Sequence, residues 1–217
     1  MTFEFICSTY IPVLLFAALC SIYRYRIVDN GAKIISVLLL VDFITECIAD
    51  ISAYKFHTNL VIYNVHNLFE IFIICLYFNS SVDTFKKNNA AIYIALVAFI
   101  CGILNLIFFQ DLFTYNTNFL LLESFLTIVL SLYALYRLFI NDEHLIILRN
   151  QHFWFAVMLL FFWCVTFMNW GMNEILNRKY PAFMGTPWFI LWLVNIVYYL
   201  GTACVFIFYK KMHKANE

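Results

Sequence analysis

The chain has 217 residues, 65% hydrophobic, 20% aromatic and only 12% charged, and its 13 basic and 13 acidic side chains balance to a formal net charge of zero. A soluble domain carries roughly 25% charged residues, and one this apolar would expose contiguous patches that drive association, so the composition excludes an ordinary soluble protein and points to a bilayer. The neutral balance supplies no basic field for nucleic acid, and five glycines and three prolines leave little room for long flexible linkers.

A spanning helix needs about 20 largely apolar residues, because the hydrocarbon core is about 30 Å thick and each residue rises 1.5 Å. Seven such runs are predicted, at about 3–23, 34–54, 59–79, 90–110, 118–140, 153–175 and 187–209. The expected fold is all-α: a polytopic membrane protein in which a single seven-helix membrane domain fills residues 1–217 with no soluble domain. Short connections make sequential neighbours antiparallel. The first run lacks a positively charged leading region and a small-x-small cleavage site, so it reads as a retained helix rather than a signal peptide. The fourth carries Ala91, Ala95, Ala98 and Gly102 on one stripe, a spacing that lets helices approach closely in lipid.

Charge sets the orientation. One side receives Arg24, Arg26, Lys33, Lys86, Lys87, Arg137, Arg149, Lys210, Lys211 and Lys214, the other only Lys55, Arg178 and Lys179. By the positive-inside rule the N-terminus is outside and the C-terminus cytoplasmic, as expected of a multi-pass protein of a cell membrane. Tyr23, Tyr54, Tyr115, Trp154 and Trp188 fall near predicted helix ends, where interfacial aromatics belong.

The polar residues inside the spans carry the functional information. Asp42, Glu46 and Asp50 in the second span are spaced i, i+4, i+8 and line one face. One central acid costs about 2.5–3.5 kcal/mol, and three cost on the order of 5–10 kcal/mol, comparable with a domain's whole net stability of about 5–15 kcal/mol. That face must therefore turn inward, away from lipid. The third span offers Tyr63, Asn64, His66, Asn67, Glu70 and Tyr77 as partners. The fifth adds Glu123, Ser124 and Thr127, the sixth Thr166, Asn169 and Asn173, and the seventh Asn195, Tyr198 and Thr202. Counting the rise from each midpoint puts Asp42, Glu46, Glu70 and Asn195 within about 5 Å of the midplane. Asp50, His66, Glu123, Asn169 and Asn173 fall in the outer half, and the inner half is mostly apolar. The expected site is an outward-facing acidic and amide pocket built from Asp42, Glu46, Asp50, Asn64, His66, Asn67, Glu70, Glu123, Asn169, Asn173 and Asn195.

No lysine or arginine lies among these acids, so they are either protonated or compensated by a bound cation. No cofactor is expected beyond such a cation, and no metal ligands are assigned: a zinc site wants several His or Cys ligands, and His66 is the one intramembrane histidine. The same residues also suit interhelical hydrogen bonding with no ligand at all. Seven cysteines at scattered spacing form no CxxC pair and read as small buried hydrophobes. There is no HExxH, GxSxG or P-loop and no lysine in the last span for a retinal Schiff base, so the chain carries no catalytic signature.

The acids of the second span, Ile62-Tyr63-Asn64 leading to Leu68-Phe69-Glu70, Leu122-Glu123-Ser124 and Phe153-Trp154 together resemble a loose group of small, mostly uncharacterised bacterial seven-helix membrane proteins often found near sensor histidine kinases. The resemblance implies a sensory or accessory membrane role. The expected function is thus a receptor-like module with a pocket for a small ligand, cation or proton. A small transporter or proton-coupled carrier using the same carboxylates is the alternative, and a membrane enzyme the third. The expected partners are the lipid bilayer and a separate cytoplasmic or membrane signalling protein, docked on a basic surface including Arg24, Arg26, Lys86, Lys87 and Lys210.

Overall fold

A computed structural model describes the backbone of residues 3–141, 147–179 and 185–213 and the side chains of residues 9–140, 147–172 and 188–209. Asn173, Arg178, Lys179, Lys210, Lys211 and Lys214 of the sequence reading therefore lie outside the described side chains.

The described residues form helices and no strands. In chain order these are α1 (Phe3–Arg24), α2 (Asn30–Phe56), α3 (Leu60–Ser81), α4 (Asp83–Asn88), α5 (Ala90–Phe108), α6 (Thr117–Asn141), a single 3-10 turn at Ile147–Arg149, α7 (Gln151–Lys179) and α8 (Gly185–His213). Helices are what lipid demands, since every backbone N–H and C=O must be satisfied within the segment. Five of them are long and apolar enough to cross a membrane, over Leu60–Ser81, Ala90–Phe108, Thr117–Ile140, Gln151–Met172 and Trp188–Tyr209, and the described part of α1, Thr9–Arg24, is a shorter apolar helix. This is the make-up of a multi-pass membrane protein. With 27 residues α2 is long enough as well; its three acids are what lower its apolarity.

Local chemistry sets the helix ends. The Asp29 carboxylate accepts hydrogen bonds from Gly31 N at 3.1 Å and Ala32 N at 3.4 Å, satisfying two of the free amides that open α2. At its other end His57 adopts the left-handed conformation, with φ 56°, and donates its N–H to the Ala53 carbonyl at 3.1 Å. Asn89 takes the same conformation, with φ 51°, between α4 and α5. Asparagine is among the few side chains that tolerate it.

The chain divides into two compact units, one of Met1–Cys20 with Ser124–Glu217, the other of Ser21–Glu123. In the second, α3 packs against both α2 and α5. The α5 stripe Ala91, Ala95, Ala98 and Gly102 is buried. A Cβ on Gly102 would collide with Leu68 of α3 and come within 2.7 Å of Phe119 Cε2 in the first turn of α6. Close approach, rather than backbone freedom, explains this glycine. On α2, Ile44, Ile48 and Ile51 are exposed, whereas Asp42 and Ala49 on the opposite side are buried. Isoleucine faces outward on α2, and Asp42 faces inward.

In the other unit α7 packs on α8. Two polar links join α1 to α8: Trp192 Nε1 donates to Thr9 Oγ1 at 3.1 Å, and Tyr10 OH donates to Tyr199 OH at 3.5 Å. Aromatic stacking fills the α7–α8 seam, with Phe155 on Phe206 and Phe162 on Tyr198 at ring-centroid distances of 5.3 and 4.9 Å. Without water to drive burial, such van der Waals packing is the main cohesive term between helices.

Candidate functional site

The site grows from the α2–α3 hairpin. Ser52 Oγ donates to the Thr58 carbonyl at 2.8 Å and pins the turn between the two helices. Going inward, Tyr63 OH donates to Glu46 Oε2 at 2.8 Å. One turn further, His66 Nε2 lies 3.1 Å from Asp42 Oδ1. The pairs step in opposite directions along the two chains, as antiparallel helices require, and each acid one turn deeper on α2 meets the residue one turn deeper on α3. Glu70 then sits one turn from His66 on α3, its Oε2 3.5 Å from Nδ1. Beyond Glu70 the buried residues are mostly apolar, Leu39, Leu38 and Ile35 on α2 and Ile71 and Ile74 on α3, and the buried Ser36 hydroxyl donates to the Ala32 carbonyl of its own helix. The polar ladder ends there.

His66 thus has a carboxyl oxygen at each ring nitrogen, and it is well buried, with 11% of its side chain exposed against 6% for Asp42 and 16% for Glu70. A carboxylate only accepts hydrogen bonds, and a neutral imidazole has a single N–H to give. Both contacts are attractive when Asp42, His66 and Glu70 hold at least two protons among them. An imidazolium between two carboxylates meets the condition, and so does a neutral ring with one carboxylic acid and one carboxylate. Each arrangement leaves one net negative charge, and they differ only by a proton shift along the string.

Glu123, in the second turn of α6, is fully buried, and neither of its carboxyl oxygens has a hydrogen-bond partner. Its charge neighbours are Glu70 first and Asp42 next, and the buried Cys75 thiol lies in its field. A buried carboxyl without a donor is rare in native proteins and marks a water, an ion or a functional role. Asp50 lies one turn outward of Glu46 on α2 and is half-buried.

Asn64, between Tyr63 and His66 in sequence, faces elsewhere. Its Nδ2 donates to the carbonyls of Leu112 and Thr114, both at 2.8 Å, and its Oδ1 accepts from Asn116 N at 3.3 Å. The connection between α5 and α6 is further stitched by Asn105, which donates to Gln110 Oε1 at 2.9 Å and to Asn116 Oδ1. Asn64 is thus the anchor of that loop. Asn67 is buried on the same side of α3. Asn169 on α7 and Asn195 on α8 belong to the other compact unit. Asn195 Nδ2 donates to the Leu191 carbonyl of its own helix at 2.9 Å.

The hairpin therefore brings Asp42, Glu46, His66 and Glu70 together, with Glu123 in their electrostatic field. Ser131 was missed by the sequence reading. Glu123, Thr127 and Ser131 stand at i, i+4, i+8 on α6, all fully buried, and neither hydroxyl has a hydrogen-bond partner. That spacing was the available signal. Among the described residues no group of three or more His, Cys, Asp and Glu side chains is placed to hold a metal ion. Comparison with protein-family models, with curated proteins and with solved structures finds no match.

Proposed function

We propose that the protein is a receptor-like, sensory accessory module of the membrane, whose ligand site is the polar face shared by α2, α3 and the start of α6. The observation that carries this reading is Glu123, a fully buried carboxyl with both oxygens unpartnered, in the field of the two acids, Glu70 and Asp42, that hold a histidine between them. A network present only as glue between helices would pair its most deeply buried acid. In this reading α1 and α2 complete a set of seven spans, with the N-terminus outside, the tail in the cytoplasm and the polar ladder opening outward from Glu70. The length of α2 and its inward acid face support its place among the spans, and the excess of Lys and Arg on one side supports the orientation. Output then requires a separate signalling protein on the basic cytoplasmic side, as the resemblance to proteins near sensor kinases also suggests.

The test is a stability screen of the purified chain with inorganic and small organic cations, comparing wild type with Glu46→Gln. Ligand that binds the native state raises the melting temperature. A rise specific to one cation or to pH that is lost in the variant supports the site, and equal responses in both to cations and to pH sink it. Cysteine labelling at Lys55 and Lys86 from either side of sealed vesicles checks the orientation.

A transporter is the second reading, favoured by the unpartnered hydroxyls of Thr127 and Ser131 on the α6 face that carries Glu123. Flux into liposomes that disappears in Glu46→Gln selects it over the receptor.

A further inference from the structure

Resting on the reading that this polar face is a ligand site, we infer that its ligand is the proton: Asp42, His66 and Glu70 form a relay sharing two protons, and Glu123 is where a further proton is taken up and released.

The geometry supports the proton over other cations. The two carboxyl oxygens that converge do so on the two nitrogens of one imidazole, at 3.1 and 3.5 Å. A metal or ammonium ion seated between those oxygens would displace the ring, whereas a proton uses the contacts as they stand. The shift along the string balances. The O–H bond of Glu70 breaks as an N–H bond forms at His66 Nδ1; the Nε2–H bond breaks as an O–H bond forms on Asp42. Electron pairs stay on their atoms and the charge of the string is unchanged.

The groups facing His66 are few. From α2 come Asp42 and Glu46, the latter holding the Tyr63 hydroxyl. From α3 itself comes Glu70, and from α6 Glu123 acts on Glu70 and Asp42. On α5 the titratable side chains are Tyr93 and Cys101, both exposed. No lysine or arginine lies in the string's sequence neighbourhood to hold the acids ionised. Glu123, in the field of Glu70 and Asp42 and without a donor of its own, is the acid whose protonation makes or removes a charge beside the relay.

The full chain, purified in detergent with 15N-labelled histidine, tests this with two readouts between about pH 5 and 8. The His66 ring is assigned by its loss in His66→Gln. Its two nitrogens are expected to give averaged shifts in wild type and to collapse to a single neutral tautomer, protonated at Nε2, in Glu70→Gln. Proton uptake per chain is expected to fall by one in Glu123→Gln. Should Glu123→Gln fail to fold, proton uptake by Glu123→Met gives the same count. A His66 ring locked in one neutral tautomer in wild type, or equal proton uptake in wild type and Glu123→Gln, overturns the inference. If either occurs while a cation still stabilises the wild type and not Glu46→Gln, the ligand site stands and only the proton falls. If neither protons nor cations act, both fall.

Discussion

Replacing Glu123 with methionine should stabilise the protein. Glu123 is fully buried, and its two oxygens are without donors. Leaving such a group unsatisfied costs about 1–3 kcal/mol, and exchanging it for an apolar group of similar shape removes that cost. Methionine is close in length and fills irregular gaps. For a chain of this size each kcal/mol moves the melting temperature by about 2–4 °C, so Glu123→Met should melt roughly 2–12 °C higher. Thermal unfolding of both proteins in the same detergent at neutral pH gives the comparison. Glu123→Gln should not share the gain, because its amide brings two buried donors in place of the acid. The stabilised Glu123→Met protein should also have lost the pH response. A Glu123→Met protein that melts several degrees lower would refute the reasoning, since Glu123 would then be bonded and structural.

Asn64→Ala removes three hydrogen bonds to the α5–α6 connection; at about 1 kcal/mol each it should destabilise by roughly 2–4 kcal/mol. The Asn116 amide should exchange with deuterium much faster, and unchanged protection there would show that Asn64 does not anchor the loop. Gly102→Ala drives a methyl into Leu68 and Phe119, and overpacking of this kind costs about 1–3 kcal/mol; a melting temperature equal to wild type would mean that α3 and α5 separate freely. Partial burial pushes the Tyr115 phenol above its ordinary value of 10.0, although 46% of the residue is exposed. The folded state then favours the neutral phenol, so its contribution is intact below the unfolded value and is lost as pH rises through the folded one. Tyr115→Phe should flatten the alkaline fall in stability, and an identical alkaline limb would count against burial of the hydroxyl.

Hydropathy was enough to locate the long helices, because a run of apolar residues is the same signal whether it faces lipid or protein. It was blind to their ends. The second span was expected to begin near residue 34, yet α2 begins at Asn30 because Asp29 caps it from within a polar stretch. The expected loop between Ser80 and Asn89 contains α4, whose six residues are too few and too polar to register. The inward face of α2 was legible from the i, i+4, i+8 spacing of its acids, since lipid leaves a charged face no alternative. Which partner each acid meets was not, because two antiparallel helices can slide by a turn without changing either pattern. Asp42 meets His66, and Glu46 meets Tyr63, only once the Ser52–Thr58 bond sets the register. Asn64 shows the same limit: an amide in a span signals hydrogen bonding but not its direction, and this one points to a loop some fifty residues on.

The most direct test of the site compares the melting temperature of wild type and Glu70→Gln across about pH 5–8, with both proteins in the same detergent. Glu70→Gln keeps the shape of the side chain and the hairpin bonds of Asp42 and Glu46, but it cannot share a proton with His66. A wild-type curve that varies with pH and a Glu70→Gln curve that is flat, or displaced along the pH axis, is the expected result. Two parallel curves would mean that Asp42, His66 and Glu70 only hold α2 and α3 together, and would contradict the assignment of a ligand site.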